Sequence, residues 1–600
     1  MNDRTSPATF LRILATSDLH MHLVSHDYYA NSNRHDLGLQ ALSGTIKRLR
    51  LDAQKNGGAC LLVDNGDLLQ GTPLGDHLVQ HPHLTSPHPV AKVMDAMGYD
   101  VLGLGNHDLD YGLPYLAQFA RSMSAPLLSS NTHLTEPTDW LHTSTILPAG
   151  SLKVGVLSVL PTRTSTWVHS HLFGIATFSD MEATVSETAS RLRKDGADLV
   201  LALAHTGIGT YQDENALSRI AASGDVDALV GGHTHVLFPD LNATEVPGAD
   251  MLSGHLHGIP TIMPGFAGEV LGCIDLHLVQ STKGTWNIQS SKAHLAPAQA
   301  APQVPELAAI APAHRATCAA LDEVLGETCV PLTSYFALVQ PTPMLALIAS
   351  AKMQAIDLAR QGTEFASLPL LAATSPDRAG GHIGAHNYAD IPSGPLQRRQ
   401  IAQMHVFPND IWGVPVSGLE LRRWLERSAT IFTHPLDLSR KGLLSHEVPP
   451  FDFDIIFGVT YGIDPTSLPQ FDANGNCLNP NTSRIEDLRY QGQLIRDQDR
   501  FFVATKSYRA CGGGYFPGLT PERTMLRPNL PVSQVVQDFV QSRRVPKITP
   551  PWRMSTKARG LKTWFETGPG AIPHLNDIAG YSPETPIELD SGFLRIPITL

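Results

Sequence analysis

The stretch VLGLGNHDLDYG, residues 101–112, changes abruptly from apolar to polar side chains. Its beginning, VLGLG, is typical of a short buried strand, whereas NHDLD places an Asn, a His and two Asp residues in the turn that follows. Neither a strand nor a helix has a use for so many polar groups in one turn. The pattern therefore predicts a functional loop at a strand end, provided that other segments supply partners for His107.

The same change recurs between residue 10 and about residue 280. Apolar runs that end in polar residues alternate with helical stretches; the runs are FLRILATSDLH, ACLLVDNGD, VLGLGNHD, KVGVLSVL, ADLVLALAHTG and VDALVGGHTH. This alternation is the signature of an α/β fold, in which ligands gather at the carboxyl ends of the strands. We therefore expect an α/β fold with its site at those ends.

The composition excludes several classes of function. A net charge of −12 argues against a nucleic acid polymer as partner, because binding a phosphate backbone needs clustered Lys and Arg. No run approaches the roughly 18–20 apolar residues of a membrane span, and the six cysteines are scattered. The first residues lack a basic segment followed by an apolar one, which predicts a cytoplasmic protein.

A chain of 600 residues is too long for one hydrophobic core. A Pro/Ala-rich stretch leads into a helical pattern, so we predict a linker with a helix over 296–330. It separates a first domain, 8–295, from a second α/β domain, 331–545. The Pro-rich end, 546–600, is predicted to be a C-terminal strap.

The polar strand ends contain carboxylates and imidazoles in a metal-binding pattern. This mixture suits Mn, Zn, Fe or Co better than the all-oxygen shells of Mg or Ca. Asp18 and His20 flank one residue, so they point the same way on an extended segment. The candidates exceed what one ion takes, which predicts two divalent ions that share a carboxylate. They are Asp18, His20, Asp67, Asn106, His205, His233 and His235.

These blocks, D-x-H, GD, GNHD, H and GHxH in that order, resemble the signature of calcineurin-like metallophosphoesterases. The resemblance implies a four-layer α-β-β-α sandwich for the first domain. It also implies a division of the ligands: Asp18, His20 and His235 for the first ion, Asn106, His205 and His233 for the second, and Asp67 as the bridge.

The same resemblance makes His107 a catalytic residue and not a ligand. In that family the matching histidine gives a hydrogen bond or proton near the leaving group and stabilises charge on the phosphoryl oxygens. Asp110 would orient its imidazole. The ions would activate water and stabilise in-line displacement at phosphorus.

Longer motifs resemble the 2′,3′-cyclic-nucleotide 2′-phosphodiesterase/3′-nucleotidases, a branch of the 5′-nucleotidase superfamily. They include GDLLQGTPLGD, MPGFAGEVLG, WLERSATIF, FDFDIIFGVTYGID and VATKSYRACGGGYFPG. The resemblance implies hydrolysis of cyclic nucleotides to 3′-nucleotides and then to nucleoside and phosphate. It makes the second domain a 5′-nucleotidase C-terminal domain that holds small-molecule nucleotides, and a periplasmic location becomes the alternative to a cytoplasmic one.

In that superfamily two aromatic rings stack on the base, and stacking of this kind tolerates any base. The matching rings here are Phe451 and Tyr508. Arg378 and His382 stand where relatives carry a Lys and an Arg. The residues expected to bind substrate are therefore Phe451, Tyr508, Arg378, His382, Asn409 and Asp410.

Three other functions stay open from the residues. A 5′-nucleotidase or nucleotide-sugar hydrolase would use the same metal site, and a broader phosphoesterase would have little preference for a nucleoside. The segments FDFDII, SYRACGGG and GTPLGD favour the cyclic-nucleotide branch. An inactive nucleotide-binding protein is the remaining alternative, although every ligand position and His107 are filled.

Overall fold

A computed structural model of the chain describes residues 8–82, 86–208, 215–241, 246–301, 304–542 and 549–600. It divides into two compact units, Met1–Ala319 and Ala320–Leu600. The division falls inside the segment 296–330, and the domain bounds given above stay predictions. Within the described ranges, no helix combines the length and the hydropathy that crossing a lipid bilayer requires.

The first unit contains a seven-stranded sheet that includes the strand before Asp18. That strand, Ala8–Thr16, pairs in parallel with Ala59–Asp64 and antiparallel with Val270–Gln280. In spatial order the strands are Trp286–Pro297, Val270–Gln280, Ala8–Thr16, Ala59–Asp64, Val101–Gly103, Leu127–Leu128 and Leu141–His142.

A second sheet of eight strands includes the strands before His205 and His233. Its central strand Leu199–Ala204 is buried along its whole length, as expected for a parallel strand covered on both faces. In spatial order the strands are Ala249–Asp250, His255–Leu256, Ile259–Pro264, Ala228–Gly231, Leu199–Ala204, Leu152–Val159 and Ser144–Ala149, with Leu237–Phe238 beside Ile259–Pro264.

The two sheets bury a common apolar core, which includes Ile13 and Val63 from the first and Val156 and Leu201 from the second. Another core joins the second sheet to its helices. Helices thus cover the outer face of each sheet, and the predicted four-layer α-β-β-α sandwich is confirmed. The helices of this unit are Gly38–Lys55, Pro73–Gln80, Pro89–Met97, Leu113–Ser122, Thr164–Trp167, His169–Leu172, Met181–Lys194 and Leu217–Ser223.

Helix Met181–Lys194 shows how the sequence sets these elements. The Asp180 carboxylate accepts a hydrogen bond from the backbone N–H of Ala183 at 2.8 Å and caps the first turn. The last turn carries basic side chains, which complement the helix dipole. Other elements of the unit are the strand pairs His26–Asp27 with Ser32–Asn33 and Thr132–Leu134 with Ala176–Phe178, and helix Ala311–Leu321, which extends into the second unit.

The second unit is built around a four-stranded sheet with the spatial order Ile411–Ser417, Arg500–Lys506, Leu370–Thr374 and Ile455–Phe457. Another four-stranded sheet contains Gln493–Leu494, Ile485–Tyr490, Thr460–Ile463 and Trp552–Met554. Smaller sheets pair Val324–Thr328 with Gly394–Gln397 and Leu332–Thr333 with Asp390–Ile391. Its α-helices are Pro343–Ala359, Arg398–Met404, Gly418–Ser428, Leu438–Lys441, Ser507–Ala510 and Val532–Ser542.

Most of the described part of 546–600 is in strands and 3-10 helices. Strand Trp552–Met554 adds to a sheet of the body beside Thr460–Ile463. The strands Lys562–Thr567, Leu594–Thr599 and Ile587–Glu588 form a three-stranded sheet of their own. With this second α/β unit the predicted fold class is confirmed for both halves of the chain.

The apolar helix Pro343–Ala359 carries a buried charge at Lys352. This residue is 2% exposed, and its Nζ donates a hydrogen bond to the carbonyl oxygen of Ala373 at 3.1 Å. Burial, together with the nearby Lys506 ammonium, lowers the pKa of Lys352 from 10.5 to about 8. Folding therefore disfavours the protonated form of this side chain.

We expect Lys352→Met to stabilise the second unit relative to wild type, and to do so more at pH 7 than at pH 10. The cost of the buried charge is fully present below about pH 8 and falls as the pH rises to 10.5; well above that pH the side chain is neutral in the folded and the unfolded state. Urea unfolding followed by tryptophan fluorescence should show the advantage of the variant shrinking by roughly 2–3 kcal/mol between the two pH values. An advantage that is equal at both would contradict this account.

Candidate active site

Five loops that follow strands of the two sheets carry the residues expected to bind metal. The loop after Ala8–Thr16 carries Asp18 and His20, and the loop after Ala59–Asp64 carries Asp67. The others follow Val101–Gly103, Leu199–Ala204 and Ala228–Gly231; they carry Asn106, His205, His233 and His235. The structure brings the carboxylates and imidazoles of these loops together in two groups.

Asp18, His20 and His235 form the first group, and their ligand atoms lie within 4.8 Å of one another. The Nε2 atom of His235 is 3.4 Å from Asp18 Oδ1 and 3.1 Å from Nε2 of His20. Both Asp18 and His20 are buried. A buried carboxylate with two converging imidazoles is a donor set that a transition metal prefers.

Asp67, His205 and His233 form the second group, with the same limit of 4.8 Å. His205 Nε2 lies 3.1 Å from Asp67 Oδ2. The same oxygen is 3.7 Å from Nε2 of His20, which belongs to the first group. Asp67 therefore stands between the two groups, where the sequence predicted a shared ligand.

The backbone at these residues is strained. Positive φ angles occur at Asp18 (52°), His20 (44°), Asp67 (56°), His233 (69°) and His235 (59°). Each such angle costs a non-glycine residue about 1–3 kcal/mol, and residues of this kind cluster at functional sites. The strain supports a functional and not merely structural reading of the five side chains.

Hydrogen bonds set the orientation of two imidazoles. The Nδ1 atoms of His20 and His205 lie 2.8 Å from the carbonyl oxygens of Gln70 and Asn65. A carbonyl only accepts, so each Nδ1 carries a proton and each Nε2 faces the cluster. Burial lowers the pKa of both His20 and His233 to about 3, which keeps these two rings neutral.

No Lys or Arg is among the described ion-pair partners of Asp18 and Asp67. Asp67 Oδ2, Asn106 Oδ1 and His205 Nε2 are buried without a hydrogen-bond partner, which costs about 1–3 kcal/mol for each group. Burial lowers the pKa of His205, but the charges of Asp67 and Asp18 raise it to about 10. The carboxylates thus attract a proton where no other cation is present, and these residues fit a site for divalent cations.

His107 lies at the edge of the cluster with its side chain 27% exposed. Its backbone N–H donates to Asp67 Oδ1 at 2.7 Å, and its Nδ1 lies 2.7 Å from Asp110 Oδ2. Burial lowers the pKa of His107, but the charges of Asp110 and Asp67 and the hydrogen bond that Nδ1 donates to Asp110 raise it to about 9. An imidazolium held in this way can give a proton or a hydrogen bond from Nε2.

The second unit brings together most of the residues expected to bind substrate. The Asn409 Oδ1 atom accepts from the backbone N–H of Tyr508 at 3.0 Å, and the Asp410 carbonyl accepts from the N–H of Ser507 at 2.8 Å. The rings of Phe451 and Tyr508 are 6.4 Å apart at an interplanar angle of 82°. They are thus perpendicular, and a base lying flat on one would meet the edge of the other.

Arg378 donates from Nε to Oδ1 of Asn387 at 3.2 Å. His382 belongs to the short 3-10 helix Gly381–Ile383, but its side chain lies outside the described residues. The structure therefore leaves the roles of Arg378 and His382 as predictions.

Sequence reasoning missed Arg509, which is fully buried and connects the segments that carry Phe451 and Tyr508. Its guanidinium donates to Asp454 Oδ2 at 2.7 Å and to the carbonyl of Phe451 at 2.8 Å, and it also bonds the Gly513 carbonyl. The planar guanidinium of Arg509 thus ties the Phe451 segment to the Tyr508 segment. Its only signal in the sequence is a lone Arg beside the glycine cluster.

Two parts of the chain match different protein families. Residues 11–237 match the calcineurin-like phosphoesterase family, and residues 324–521 match the 5′-nucleotidase C-terminal domain. A 2′,3′-cyclic-nucleotide 2′-phosphodiesterase/3′-nucleotidase from Salmonella typhimurium is 32% identical over 84% of this chain and 82% of its own. The chain belongs to the family of 2′,3′-cyclic-nucleotide 2′-phosphodiesterase/3′-nucleotidases.

The chain is also similar to a longer protein and to a solved structure of lower identity. The trifunctional nucleotide phosphoesterase YfkN from Bacillus subtilis is 31% identical over 95% of this chain, which spans 40% of that protein. The crystal structure of a 5′-nucleotidase precursor from Thermus thermophilus covers 91% of this chain and 99% of its own, with a TM-score of 0.61 and 18% identity. That likeness shows the fold alone. The calcineurin-like phosphoesterase domain implies divalent metal ions.

A second residue that sequence reasoning missed is Asp108, the acidic residue of the family's GNHD block. Its buried carboxylate accepts hydrogen bonds at 2.9 Å from four backbone N–H groups, those of Asp67, Leu68, Leu69 and Gly105. It therefore fastens the Asp67 loop to the Asn106 loop. The block indicated an acid at this position, but only the fold shows that it bonds the backbone of a distant loop.

We expect Asp108→Asn to weaken Mn²⁺ binding about 10- to 100-fold, the range seen when supports of metal ligands are removed. The new amide NH₂ would face backbone N–H groups that need an acceptor. Calorimetric titration of the purified protein with Mn²⁺ measures the change. Asp100→Asn is the matched control, because Asp100 accepts one N–H, that of Leu62, in the same sheet. Equal losses in the two variants would refute the special role of Asp108.

Proposed function

We propose that this protein hydrolyses 2′,3′-cyclic nucleotides to 3′-nucleotides and then to nucleoside and phosphate. The observation that carries the proposal is the pair of adjacent buried ligand groups, around Asp18 and around Asp67, with His107 at their edge. Relatives about 30% identical over most of the chain are named for these two activities. The proposed substrates are small-molecule nucleotides.

Two divalent ions would be held by these groups. We assign Asp18, His20 and His235 to one ion, Asn106, His205 and His233 to the other, and Asp67 to both. Ions bound there supply Lewis acid chemistry to the phosphoryl group and to water. The protein supplies pre-oriented imidazoles and buried carboxylates, so that little reorganisation is needed when the ions bind.

His107 protonates the leaving oxygen in both steps. Asp110 engages Nδ1, so the mobile proton is on Nε2. Opening the cyclic ester releases the 2′ oxygen of the ribose, and the second hydrolysis releases the 3′ oxygen. Each is a poor leaving group as an alkoxide, and transfer of a proton from the imidazolium removes that charge. One donor therefore serves two related reactions.

The second unit would hold the nucleoside, with Tyr508 as the stacking surface and Phe451 as an edge. Gly513 packs flat under the Tyr508 ring, where a Cβ atom would come within 2.6 Å of three ring carbons. One face of the ring is therefore covered by backbone, and the base would lie on the other. We assign Arg378, His382, Asn409 and Asp410 to the surroundings of the ribose and base.

The first test is a product time course with Mn²⁺ and each of 2′,3′-cyclic AMP, 3′-AMP and 5′-AMP. We expect cyclic AMP to pass through 3′-AMP to adenosine, while 5′-AMP is consumed far more slowly. His107→Ala should lower kcat about 100- to 10,000-fold on both active substrates, the contribution of a positioned acid. Fastest consumption of 5′-AMP would instead make the protein a 5′-nucleotidase.

A second test addresses the stacking surface. Gly513→Ala should displace the Tyr508 ring and raise KM for 3′-AMP roughly 5- to 100-fold, since stacking on a base contributes about 1–3 kcal/mol. Hydrolysis of p-nitrophenyl phosphate, which has no nucleoside, should change little. Gly580→Ala is the control, because nothing lies within 4 Å of its Cβ position. An unchanged KM for 3′-AMP in Gly513→Ala would remove Tyr508 from the site.

A further inference from the structure

Asp377 is a buried carboxylate that joins three separate segments of the second unit. It is 4% exposed and follows the strand Leu370–Thr374. Its Oδ1 accepts a hydrogen bond from Lys506 Nζ at 3.0 Å, and its Oδ2 lies 2.5 Å from His405 Nδ1. Lys506 and His405 are themselves 4% and 7% exposed. The three side chains thus form a chain of contacts inside the core.

Each member of this network is next to residues assigned above to the nucleoside. Asp377 directly precedes Arg378, and Lys506 is two residues before Tyr508. His405 leads into the segment with Asn409, whose Oδ1 accepts from the Tyr508 backbone. A shift of the Asp377 carboxylate would therefore move all three segments.

The charges of Lys506 and His405 determine the protonation state of Asp377. Burial raises the pKa of Asp377, but Lys506 and His405 hold it well below its usual range, so the carboxylate is ionised at neutral pH. Lys506 also donates to Ser375 Oγ at 3.1 Å, and its charge helps to lower the pKa of Lys352. The His405 Nε2 atom is buried without a hydrogen-bond partner. Among the described residues, Asp377 is the ion-pair partner of the His405 ring.

Stability alone does not account for such a network. A buried ion pair is often no more stabilising than apolar side chains of the same volume, because both charges lose their hydration. What the pair adds is a defined geometry between the groups that it joins. Here the joined groups come from the three segments that carry Arg378, Asn409 and Tyr508.

We propose that Asp377 is a positioning residue for nucleoside binding, acting through Lys506 and His405. The inference rests on the proposed function, since it assigns the purpose of the network to the nucleotide substrate. It makes no demand on the metal-binding residues of the first unit. Nucleotide recognition and hydrolysis of a simple aryl phosphate should therefore respond differently to its loss.

The test compares the full-length wild type with Asp377→Asn on 3′-AMP and on p-nitrophenyl phosphate. We expect KM for 3′-AMP to rise about tenfold or more, with kcat/KM for the aryl phosphate within about twofold of wild type. Asp464→Asn is the matched control; Asp464 is 1% exposed in the same unit and accepts from Thr466 and Ser467. An unchanged KM for 3′-AMP, or an equal fall in kcat/KM for both substrates, would overturn the proposal.

A double variant, Asp377→Asn with Lys506→Met, separates positioning from stability. The double variant removes the Lys506 ammonium that Asp377→Asn leaves buried without its carboxylate partner. Its thermal midpoint of unfolding should therefore be higher than that of Asp377→Asn. We expect KM for 3′-AMP to stay raised. Recovery of KM together with the midpoint would show a merely structural role and overturn the proposal.

Binding of adenosine, measured by calorimetry, keeps this test independent of the proposed reaction. A higher Kd for adenosine in Asp377→Asn, with an unchanged Kd in Asp464→Asn, supports the proposal. It does so even if wild type hydrolyses neither cyclic AMP nor 3′-AMP, a result that would refute the proposed function alone. Equal Kd values in wild type and Asp377→Asn overturn it. Failure of the wild-type protein to bind adenosine also overturns it.

Discussion

The concentration of buried carboxylate charge around Asp67 is the constraint on which the first unit depends. Asp18 and Asp67 are buried among imidazoles, with no Lys or Arg among their described ion-pair partners. Burying a carboxylate costs several kcal/mol unless a cation neutralises it. The surrounding fold is adapted to this requirement: left-handed loops aim the ligands inward, and Asp108 fastens two of those loops together.

Close backbone approach is the second part of the same constraint. A Cβ atom at Gly105 would lie 2.2 Å from Asp67 Oδ1, so only glycine allows the His107 loop to reach that carboxylate. The second unit solves its own burial of charge differently. Asp377 and Asp454 are paired with Lys506 and Arg509, cationic side chains of the protein itself. The buried carboxylates of the first unit therefore fit a site for cations, whereas Asp377 and Asp454 in the second unit are paired with cationic side chains.

Much of the fold and the candidate site could be predicted from local sequence. The change from apolar to polar residues marks the strand ends, and the order of the motifs indicates the ligands around Asp18 and Asp67. Asp108, Arg509 and Asp377 were not predicted in their roles, because each bonds segments that are remote in sequence. The perpendicular arrangement of Phe451 and Tyr508 was equally invisible, since ring orientation depends on the packing of separate loops.

The sequence by itself determined which chemical groups stand at the strand ends and that carboxylates and imidazoles predominate there. These properties follow from residue type and from the alternation of strands and helices, both of which are local. Only the tertiary structure decided that Asp108 fastens the Asp67 loop to the Asn106 loop, that the rings of Phe451 and Tyr508 are perpendicular, and that one carboxylate joins three segments of the second unit. Distances between remote segments depend on the packing of the whole core, which no local pattern contains.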